Sequence, residues 1–177
     1  MAANIFHLHI PWTRARPSFF SPSPPPDLVQ YIPNATLYHF GIMTSIVHNA
    51  WMLAVAGRLK SDYRSSKDLV NNHFPWPEGT CRRGDIRPGQ VDEPASRHVA
   101  AIAATAQGIL DARAAYPDCS LADLYDELTM PPDLRKAHQD NDRSVMAAYG
   151  FKVGMTESEC VAELFKRYRA LVEGKGL

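Results

Sequence analysis

The sequence predicts a mainly α (α+β) chain in which one long helix and short strands are followed by a small helical bundle. Three observations support this fold class. Residues 37–56 are largely apolar, carry no charged side chain and contain a single glycine as a helix breaker. Residues 60–78 have a loop-and-strand composition that ends in two prolines, which favour extended backbone and end strand pairing. Residues beyond 93 repeat apolar positions at helical spacing.

Residues 1–31 differ from the rest of the chain because they contain the run SPSPPP at 21–26, which favours extended, unpacked backbone. Arg14 and Arg16 without an acidic residue before Asp27 are partly typical of a targeting presequence. The prolines argue against an amphipathic helix, and no long apolar region follows the start. We therefore expect a disordered extension, and a truncated or frame-shifted start is its plainest explanation.

The first folded section is predicted at residues 32–78 and the second at residues 94–177. Residues 79–93 between them hold three glycines, one proline and mixed charges, which is a linker composition. In the long helix over 37–56, Gly41 is the weak point. The apolar residues expected to face inward are Phe40, Met43, Val47, Trp51 and Ala54.

Residues 94–177 contain four helical patterns with matching start and stop signals. The first covers about 95–115, and one face carries Ile102, Ala106, Ile109 and Leu110. The later signals are an N-cap at Ser120 with Asp123, prolines at 131–132 in a first turn, a stop at Gly150, and a capping box of Thr156 with Glu159. These signals agree with one another and predict a small helical bundle.

Composition narrows the possible classes of protein. The chain has 177 residues, of which 45% are hydrophobic and 21% charged, as in an ordinary soluble globular protein. Its formal net charge is zero, which argues against nucleic-acid binding through bulk electrostatics alone. Binding to DNA would need a local patch or a larger basic molecule. Polar groups within 37–56, such as His39 and Asn49, would be costly in hydrocarbon, so we expect an internal helix and no membrane partner.

The three cysteines, Cys81, Cys119 and Cys160, are far apart and odd in number. They form neither a zinc-binding pattern nor a disulfide framework. A reducing, cytoplasmic location is the simplest explanation.

A short charged cluster, GRLKSDYR at residues 57–64, follows a stretch from Leu28 to Gly57 that has no Asp, Glu, Lys or Arg. Within it, Lys60 and Asp62 would point to the same side if that segment is extended, because side chains alternate along a strand. In a DNA major groove a lysine suits guanine O6 and N7, and an aspartate suits the cytosine amine. The pair could therefore read one G·C pair, with Arg58, Arg64 and Lys67 left for phosphates. A solvated surface ion pair is the alternative, and charge alone favours it.

The surrounding sequence resembles a known family. The runs PNATLYHFGIMTS at 33–45, HNAWM at 48–52, GRLKSDYR at 57–64 and NHFPWPE at 72–78 closely resemble the end of the target recognition domain of MmeI-like type II restriction–modification methyltransferases. The runs LADLY at 121–125, TMPP at 129–132, LRKAH at 134–138 and AYG at 148–150 resemble the C-terminal helical domain of the same family. The resemblance covers about residues 32–172 and keeps the family's order.

The resemblance implies a DNA sequence-recognition and scaffold role within an adenine-N6 DNA methyltransferase. In the family the two positions flanking the serine of the GRLxSx motif vary with one base pair of the site, and here they are Lys60 and Asp62. That pairing is associated with G·C, in agreement with the hydrogen-bonding argument. The sequence departs from the family at Leu53, where an arginine is expected, and at Ser65 and Asn71, where tyrosine is usual.

The chain lacks the motifs that the chemistry of such an enzyme needs. An adenine methyltransferase requires an (Asn/Asp)-Pro-Pro-(Tyr/Phe) motif, and neither Ser23–Pro26 nor Met130–Asp133 fits it. A glycine-rich turn for S-adenosylmethionine is also missing. Pro117-Asp118 and Glu173-Gly174-Lys175 match the letters of a nuclease motif only. We therefore predict a chain that is not itself an enzyme and holds no cofactor or metal, with S-adenosylmethionine bound by a catalytic core elsewhere.

The remaining polar residues favour structural roles. His39 and His48 are nine residues apart on the predicted helix and could not share a metal ion within adjacent turns. His138 and Asn141 would lie on the inward side of a helix, where hydrogen-bonded polar groups that fix helix packing are common. Trp51, Trp76 and Tyr149 are interpreted as core aromatics. The alternative to DNA recognition is a structural remnant or interaction module that self-associates or docks to a methyltransferase core polypeptide.

Overall fold

The computed structural model describes residues 35–56, 73–78, 97–126 and 128–174 with side chains, and the backbone of residues 93–96 and of five short strands. The helices are α1 (Leu37–Thr44), α2 (Ile46–Val55), α3 (Glu93–Ala114), α4 (Leu121–Leu124), α5 (Pro132–Ala148) and α6 (Glu157–Val172). The strands are β1 (His7–Pro11), β2 (Ser18–Phe20), β3 (Val29–Ile32), β4 (Gly57–Leu59) and β5 (Asp62–Arg64).

The strands pair only with one another. An antiparallel sheet has the order β2-β1-β3, and β4 pairs with β5 as an antiparallel hairpin. The first sheet lies within residues 7–32, most of which the sequence predicts as a disordered extension. The limits of the predicted domains stay predictions.

The predicted α+β class is wrong, and a mainly α fold is what the structure supports. The buried core of the described residues comes mainly from the helices, with Ala35, Phe74 and Tyr149 as its members outside them. The described strands have only three to five residues, whereas α3, α5 and α6 have 22, 17 and 16. The helices therefore bury the apolar surface against one another.

The predicted single helix over 37–56 is also wrong, because the chain breaks into α1 and α2 at Ser45. This residue is extended, with φ −74° and ψ 159°, and serves as the C-cap of α1 and the N-cap of α2. Its hydroxyl donates to the carbonyl of Ile42 at 2.7 Å and accepts the N–H of His48 at 3.3 Å. Serine competes for backbone hydrogen bonds in this way, so a serine inside an apolar run can end a helix. Four of the five predicted inward residues are buried, and Ala54 is exposed.

Two adjoining clusters of side chains form the core. One joins α1 and α2 to α3, α5 and α6, around Trp51, Ile102 and Leu164. The other joins α1 to α3, α4 and α5, around Phe40, Ile109 and Leu134. Trp76 packs against both clusters. The two sections predicted from the sequence therefore share one hydrophobic core.

The predicted starts and stops of the later helices are confirmed. Ser120 with Asp123 and Thr156 with Glu159 form capping boxes, and α5 begins at Pro132. Gly150 has φ +67° and ends α5, with the N–H of Phe151 donating to the carbonyl of Met146 at 2.9 Å. Ile102, Ala106 and Ile109 are fully buried on α3, as predicted. No helix in the described part of the chain is long and apolar enough to cross a bilayer.

Candidate nucleic-acid interface

The β4–β5 hairpin carries three of the five predicted DNA-contacting residues. Its register pairs Gly57 with Arg64, Arg58 with Tyr63 and Leu59 with Asp62. The hairpin thus brings Arg58, Asp62 and Arg64 together in one two-stranded unit, while Lys60 and Lys67 lie outside the described residues. Asp62 is the first residue of β5. Because Lys60 lies outside the described residues, the predicted placement of Lys60 and Asp62 on one side of an extended segment stays a prediction.

Helix α2 leads directly into this hairpin. Its C-cap is Ala56, whose N–H donates to the carbonyl of Met52 at 2.8 Å, and β4 starts at the next residue. The ring of Trp51 on α2 is buried and lies 5.1 Å from the ring of Phe165 and 6.0 Å from that of Tyr168 on α6. Packing of α2 on α6 therefore fixes where the hairpin begins.

Helix α1 is locked to the bundle through Gly41. The Asn141 amide on α5 donates to the carbonyl of Gly41 at 2.9 Å, and its oxygen accepts the hydroxyl hydrogen of Thr105 on α3 at 3.2 Å. A Cβ atom added at Gly41 would lie 2.6 Å from Ile102 Cγ2 and 2.9 Å from Asn141 Oδ1. Even the Cβ of alanine would force a neighbouring side chain to shift, so glycine suits this close approach of the helices. This position, predicted as the weak point of the helix, is a close contact between α1 and the bundle.

Helix α5 also caps α2. The carboxylate of Asp142 accepts the N–H of Ile46, the first residue of α2, at 2.8 Å. A carboxylate at this position satisfies an otherwise unpaired helix donor and opposes the positive end of the helix dipole. Asn141 and Asp142 are adjacent in sequence, so one turn of α5 fixes the end of α1 and the start of α2.

The next described residues after the hairpin are 73–78, which we call the return segment. It forms neither helix nor strand, yet Phe74, Pro75 and Pro77 are buried. The Phe74 ring lies 4.9 Å from that of His48 and 6.2 Å from that of Trp51, so the return segment packs against α2. The described residues that precede and follow residues 57–72 therefore lie against each other.

Two residues of the C-terminal helices hold the return segment by polar contacts. The hydroxyl of Tyr149, at the end of α5, donates to the carbonyl of Pro75 at 2.9 Å. Burial raises the pKa of this phenol well above its usual value, so it stays protonated and remains a donor. Arg167 on α6 lies 3.3 Å from the carboxylate of Glu78 and donates to the carbonyl of Tyr149 at 2.7 Å. Its guanidinium also lies over the rings of Tyr149 and Phe151, at 5.4 and 5.7 Å.

His39 on α1 is buried next to the return segment. Its Nδ1 accepts the backbone N–H of Thr36 at 3.1 Å, and its ring lies 5.6 Å from that of Trp76. Among the described residues, its Nε2 has no hydrogen-bond partner. Burial lowers the pKa of His39 from 6.5 to about 4, because the charged imidazolium would lose its hydration. A neutral structural histidine is the result.

The structural roles predicted for His138 and Asn141 are confirmed. Nε2 of His138 lies 2.7 Å from the hydroxyl of Tyr125, which accepts a hydrogen bond from Arg113 Nε at 2.8 Å. This network ties α3 and α5 to the turn after α4. Trp51 and Tyr149 are core residues, with 1% and 2% of their surface exposed. In the described ranges no three His, Cys, Asp or Glu side chains cluster closely enough to hold a metal ion.

Sequence reasoning missed Arg167 and the function of Tyr149 as a hydrogen-bond donor. Arg167 follows Lys166 on a helix rich in charged residues, a pattern that predicts a solvated face. Its side chain is in fact only 21% exposed, whereas that of Lys166 is 71% exposed. The aromatic pair at 149 and 151 was the available signal, because an arginine often stacks on such rings.

Comparison with known proteins agrees with this architecture. Residues 21–78 match the model of the MmeI target recognition domain, and residues 94–174 match that of the MmeI C-terminal domain. The chain belongs to the MmeI-like family of restriction–modification methyltransferases. Within that family it corresponds to the target recognition and C-terminal domains. The first match begins at residue 21 and so includes the proline-rich run that we placed outside the resemblance.

Two relatives show the extent of the similarity. DNA methyltransferase A of Bacillus subtilis (strain 168) is 36% identical over 148 residues, which is 83% of this chain and 15% of that protein. The solved structure of the Type IIL restriction-modification enzyme MmeI in complex with DNA is 37% identical, with a TM-score of 0.81. That similarity covers 98% of this chain and 22% of the MmeI chain. The chain therefore spans less than a quarter of the length of either relative.

Proposed function

We propose that this chain is the DNA sequence-recognition and scaffold portion of an adenine-N6 DNA methyltransferase or restriction–modification enzyme. It acts on double-stranded DNA without catalysing methyl transfer itself. The catalytic core, with its S-adenosylmethionine, lies on the remainder of a longer enzyme or on another polypeptide. The cytoplasm, where such an enzyme would meet DNA, is the expected location.

The observation that carries this proposal is that the described segments on either side of residues 57–72, α2 before them and the return segment after them, both pack in the helical body. The hairpin starts one residue after Ala56, the C-cap of α2, and the chain returns to the core at Phe74. A two-stranded ribbon is one of the elements that a DNA major groove admits. Specific recognition requires such an element to be held in a fixed position, and the buried contacts of α2, which leads directly into the hairpin, support this.

In this proposal the hairpin region supplies two kinds of contact. Lys60 reads guanine and Asp62 reads cytosine of one G·C pair, from the hydrogen-bonding preferences of the two side chains. Arg58, Arg64 and Lys67 bind phosphates, which position the protein without reading sequence. A zero net charge fits this division, because binding would depend on a few local cations and not on an overall positive field.

The test is a binding titration of the full chain with a randomised-site duplex library at low and moderate salt. We expect wild type to enrich a site that contains G·C, and Lys60→Glu/Asp62→Arg to enrich the same site with C·G instead. Arg58→Gln is the matched control. Because Arg58 is proposed to bind a phosphate, its loss should weaken binding to all duplexes uniformly. It should also reduce the slope of log affinity against log salt concentration by about 1. Enrichment that the double variant leaves unchanged would disprove the assignment of Lys60 and Asp62.

A second candidate is a structural or interaction module without DNA binding of its own. It is favoured by the zero net charge and by apolar side chains exposed along α6, namely Phe165, Leu171 and Val172. Exposed apolar surface of this kind often marks contact with another protein. Wild-type protein that binds no duplex at low salt, but forms a concentration-dependent dimer or binds a methyltransferase core, would establish this candidate.

A further inference from the structure

We propose that one face of α3 and α5 is a self-sufficient binding surface for a target recognition domain. This face, which we call the docking face, is formed by Ile102, Ala106, Asn141 and Asp142. It holds the recognition domain without a covalent link between the two domains, so that domain can be supplied by a separate polypeptide. The inference goes beyond the proposed function, because it requires the two family domains and not DNA binding.

The described part of the target recognition domain relies on the C-terminal helices for its burial. Helix α1 has only eight residues, yet every residue from Tyr38 to Thr44 is buried. A helix this short is marginal in water by itself, so most of its stability must come from tertiary packing. The apolar side chains of α1 lie in core clusters shared with α3 and α5. The surface between the two domains therefore has the character of a hydrophobic interface core.

Two aromatic side chains of the recognition domain anchor it to the C-terminal helices. Trp51 on α2 is 1% exposed, and its ring lies 5.1 Å from that of Phe165 on α6. Phe40 on α1 is fully buried, and the guanidinium carbon of Arg113 on α3 lies 5.3 Å from the centroid of its ring. Buried aromatic and arginine side chains of this kind carry most of the free energy of binding in protein interfaces.

The docking face also makes contacts that select its partner. The amide of Asn141 donates to the carbonyl of Gly41 at 2.9 Å, and the carboxylate of Asp142 accepts the N–H of Ile46 at 2.8 Å. Because both hydrogen bonds go to backbone groups, the side chains of the partner can vary around them. An added Cβ at Gly41 would lie 2.6 Å from Ile102 Cγ2 and would force a shift. The docking face therefore fits a pair of short helices that has glycine at this one position, and it disfavours others by close contact.

The experiment cleaves the full chain at a specific protease site inserted between Gly84 and Asp85, in the predicted linker. Sedimentation velocity then measures whether the two pieces stay together after cleavage. We expect a single species with the mass of the uncleaved chain at about 10 μM, because an interface with these anchors should bind at least that tightly. Two separate species, or precipitation of either piece, would overturn the inference. The measurement contains no DNA, so failure of the proposed function would leave its result unaffected.

The selectivity of the docking face is measured by diluting the cleaved protein carrying Gly41→Ala. We expect the dissociation constant of the two pieces to rise about tenfold, because the added methyl group clashes with Ile102. Gly108→Ala is the matched control, since a Cβ at that position on α3 meets no atom within 4 Å, and it should not weaken association. Equal dissociation constants in the two variants would overturn the inference.

A second pair of variants keeps the test decisive if Gly41→Ala does not fold before cleavage. Asn141→Ala removes the amide that binds the carbonyl of Gly41, and it should also raise the dissociation constant by at least about tenfold. Ser144→Ala, which removes a hydroxyl bonded within α5, should leave the constant unchanged. Equal constants in this pair would likewise overturn the inference.

Discussion

Two described segments flank residues 57–72, α1 with α2 at the leading end and the return segment at the return end, and they are held in the helical body by different means. The leading end is regular structure, since α1 and α2 are joined to α5 by Asn141 and Asp142 and packed on α6 through Trp51. The return end is irregular backbone, seated by aromatic rings and directed by Tyr149 and Arg167. The first arrangement is part of the core, and its loss should reduce global stability. The second adds two polar contacts to irregular backbone, and the loss of one of them should reduce stability less than a loss at the leading end.

The largest effect is expected for Asn141→Ala at the leading end. This change leaves the buried carbonyl of Gly41 without a partner and creates a cavity, at a cost of about 3 kcal/mol in the free energy of unfolding. Urea denaturation measures the difference. Ser144→Ala, which removes a hydroxyl bonded within α5 itself, is the control and should cost less than about 0.5 kcal/mol. Equal losses in the two variants would show that Asn141 does not fix α1.

The dependence of the free energy of unfolding on pH tests His39, which lies on α1 with its ring next to that of Trp76. Its pKa is about 4 in the folded chain and 6.5 when exposed, so between these values only the unfolded chain binds the proton. The free energy of unfolding should therefore fall as the pH drops below about 6.5, by about 2 kcal/mol between pH 7 and pH 5. His39→Gln should remove this component of the pH dependence. A variant whose stability follows the wild-type pH curve would disprove the neutral state of His39.

Two glycine-to-alanine substitutions test the close packing of α1, because their effects on the free energy of unfolding should have opposite signs. Gly41→Ala places a Cβ 2.6 Å from Ile102 Cγ2, and strain should outweigh the gain in helix propensity by about 1.5 kcal/mol. Gly108→Ala on α3 meets no atom within 4 Å and should stabilise the chain by up to about 1 kcal/mol. Thermal unfolding of both variants provides the test. Stabilisation by both would mean that α1 does not approach the bundle closely.

The smallest effect on stability is expected at the return end. Tyr149→Phe removes one hydrogen bond to Pro75 and should cost about 1 kcal/mol in urea denaturation. Hydrogen exchange should increase at the amide of Trp76, which shares its peptide unit with the released carbonyl, and stay unchanged in α3. A loss as large as that of Asn141→Ala would mean that both ends belong equally to the core, and the distinction between them would fail.

The sequence predicted the C-terminal helices well because their limits depend on local interactions. Capping boxes at Ser120 and Thr156 and the glycine stop at Gly150 involve residues within a few positions of one another. Buried positions on α3 follow in the same way from apolar residues repeating at helical spacing. The family was also evident from runs of residues in the recognition and C-terminal sections.

The helix break and the α+β class were predicted wrongly, for related physical reasons. A serine such as Ser45 can be accommodated inside a helix. Here it serves as a shared cap of α1 and α2 because Asp142, which is distant in sequence, accepts the N–H of Ile46. Short alternating segments predict strands, but whether they contribute to a core depends on the width of the sheet that they form. Neither outcome is determined by the local sequence.

By itself the sequence determined the family, the helical bundle and the charged cluster at residues 57–64, because these depend on residue identity and local spacing. Only the tertiary structure decided that Gly41 is a close-contact site, that α5 fixes α1 and α2, and that Arg167 and Tyr149 hold the return segment. These contacts join residues 18 to 100 positions apart. Such pairings depend on how the helices pack, because the burial of a side chain and the direction of its hydrogen bonds are set only when elements distant in sequence come together.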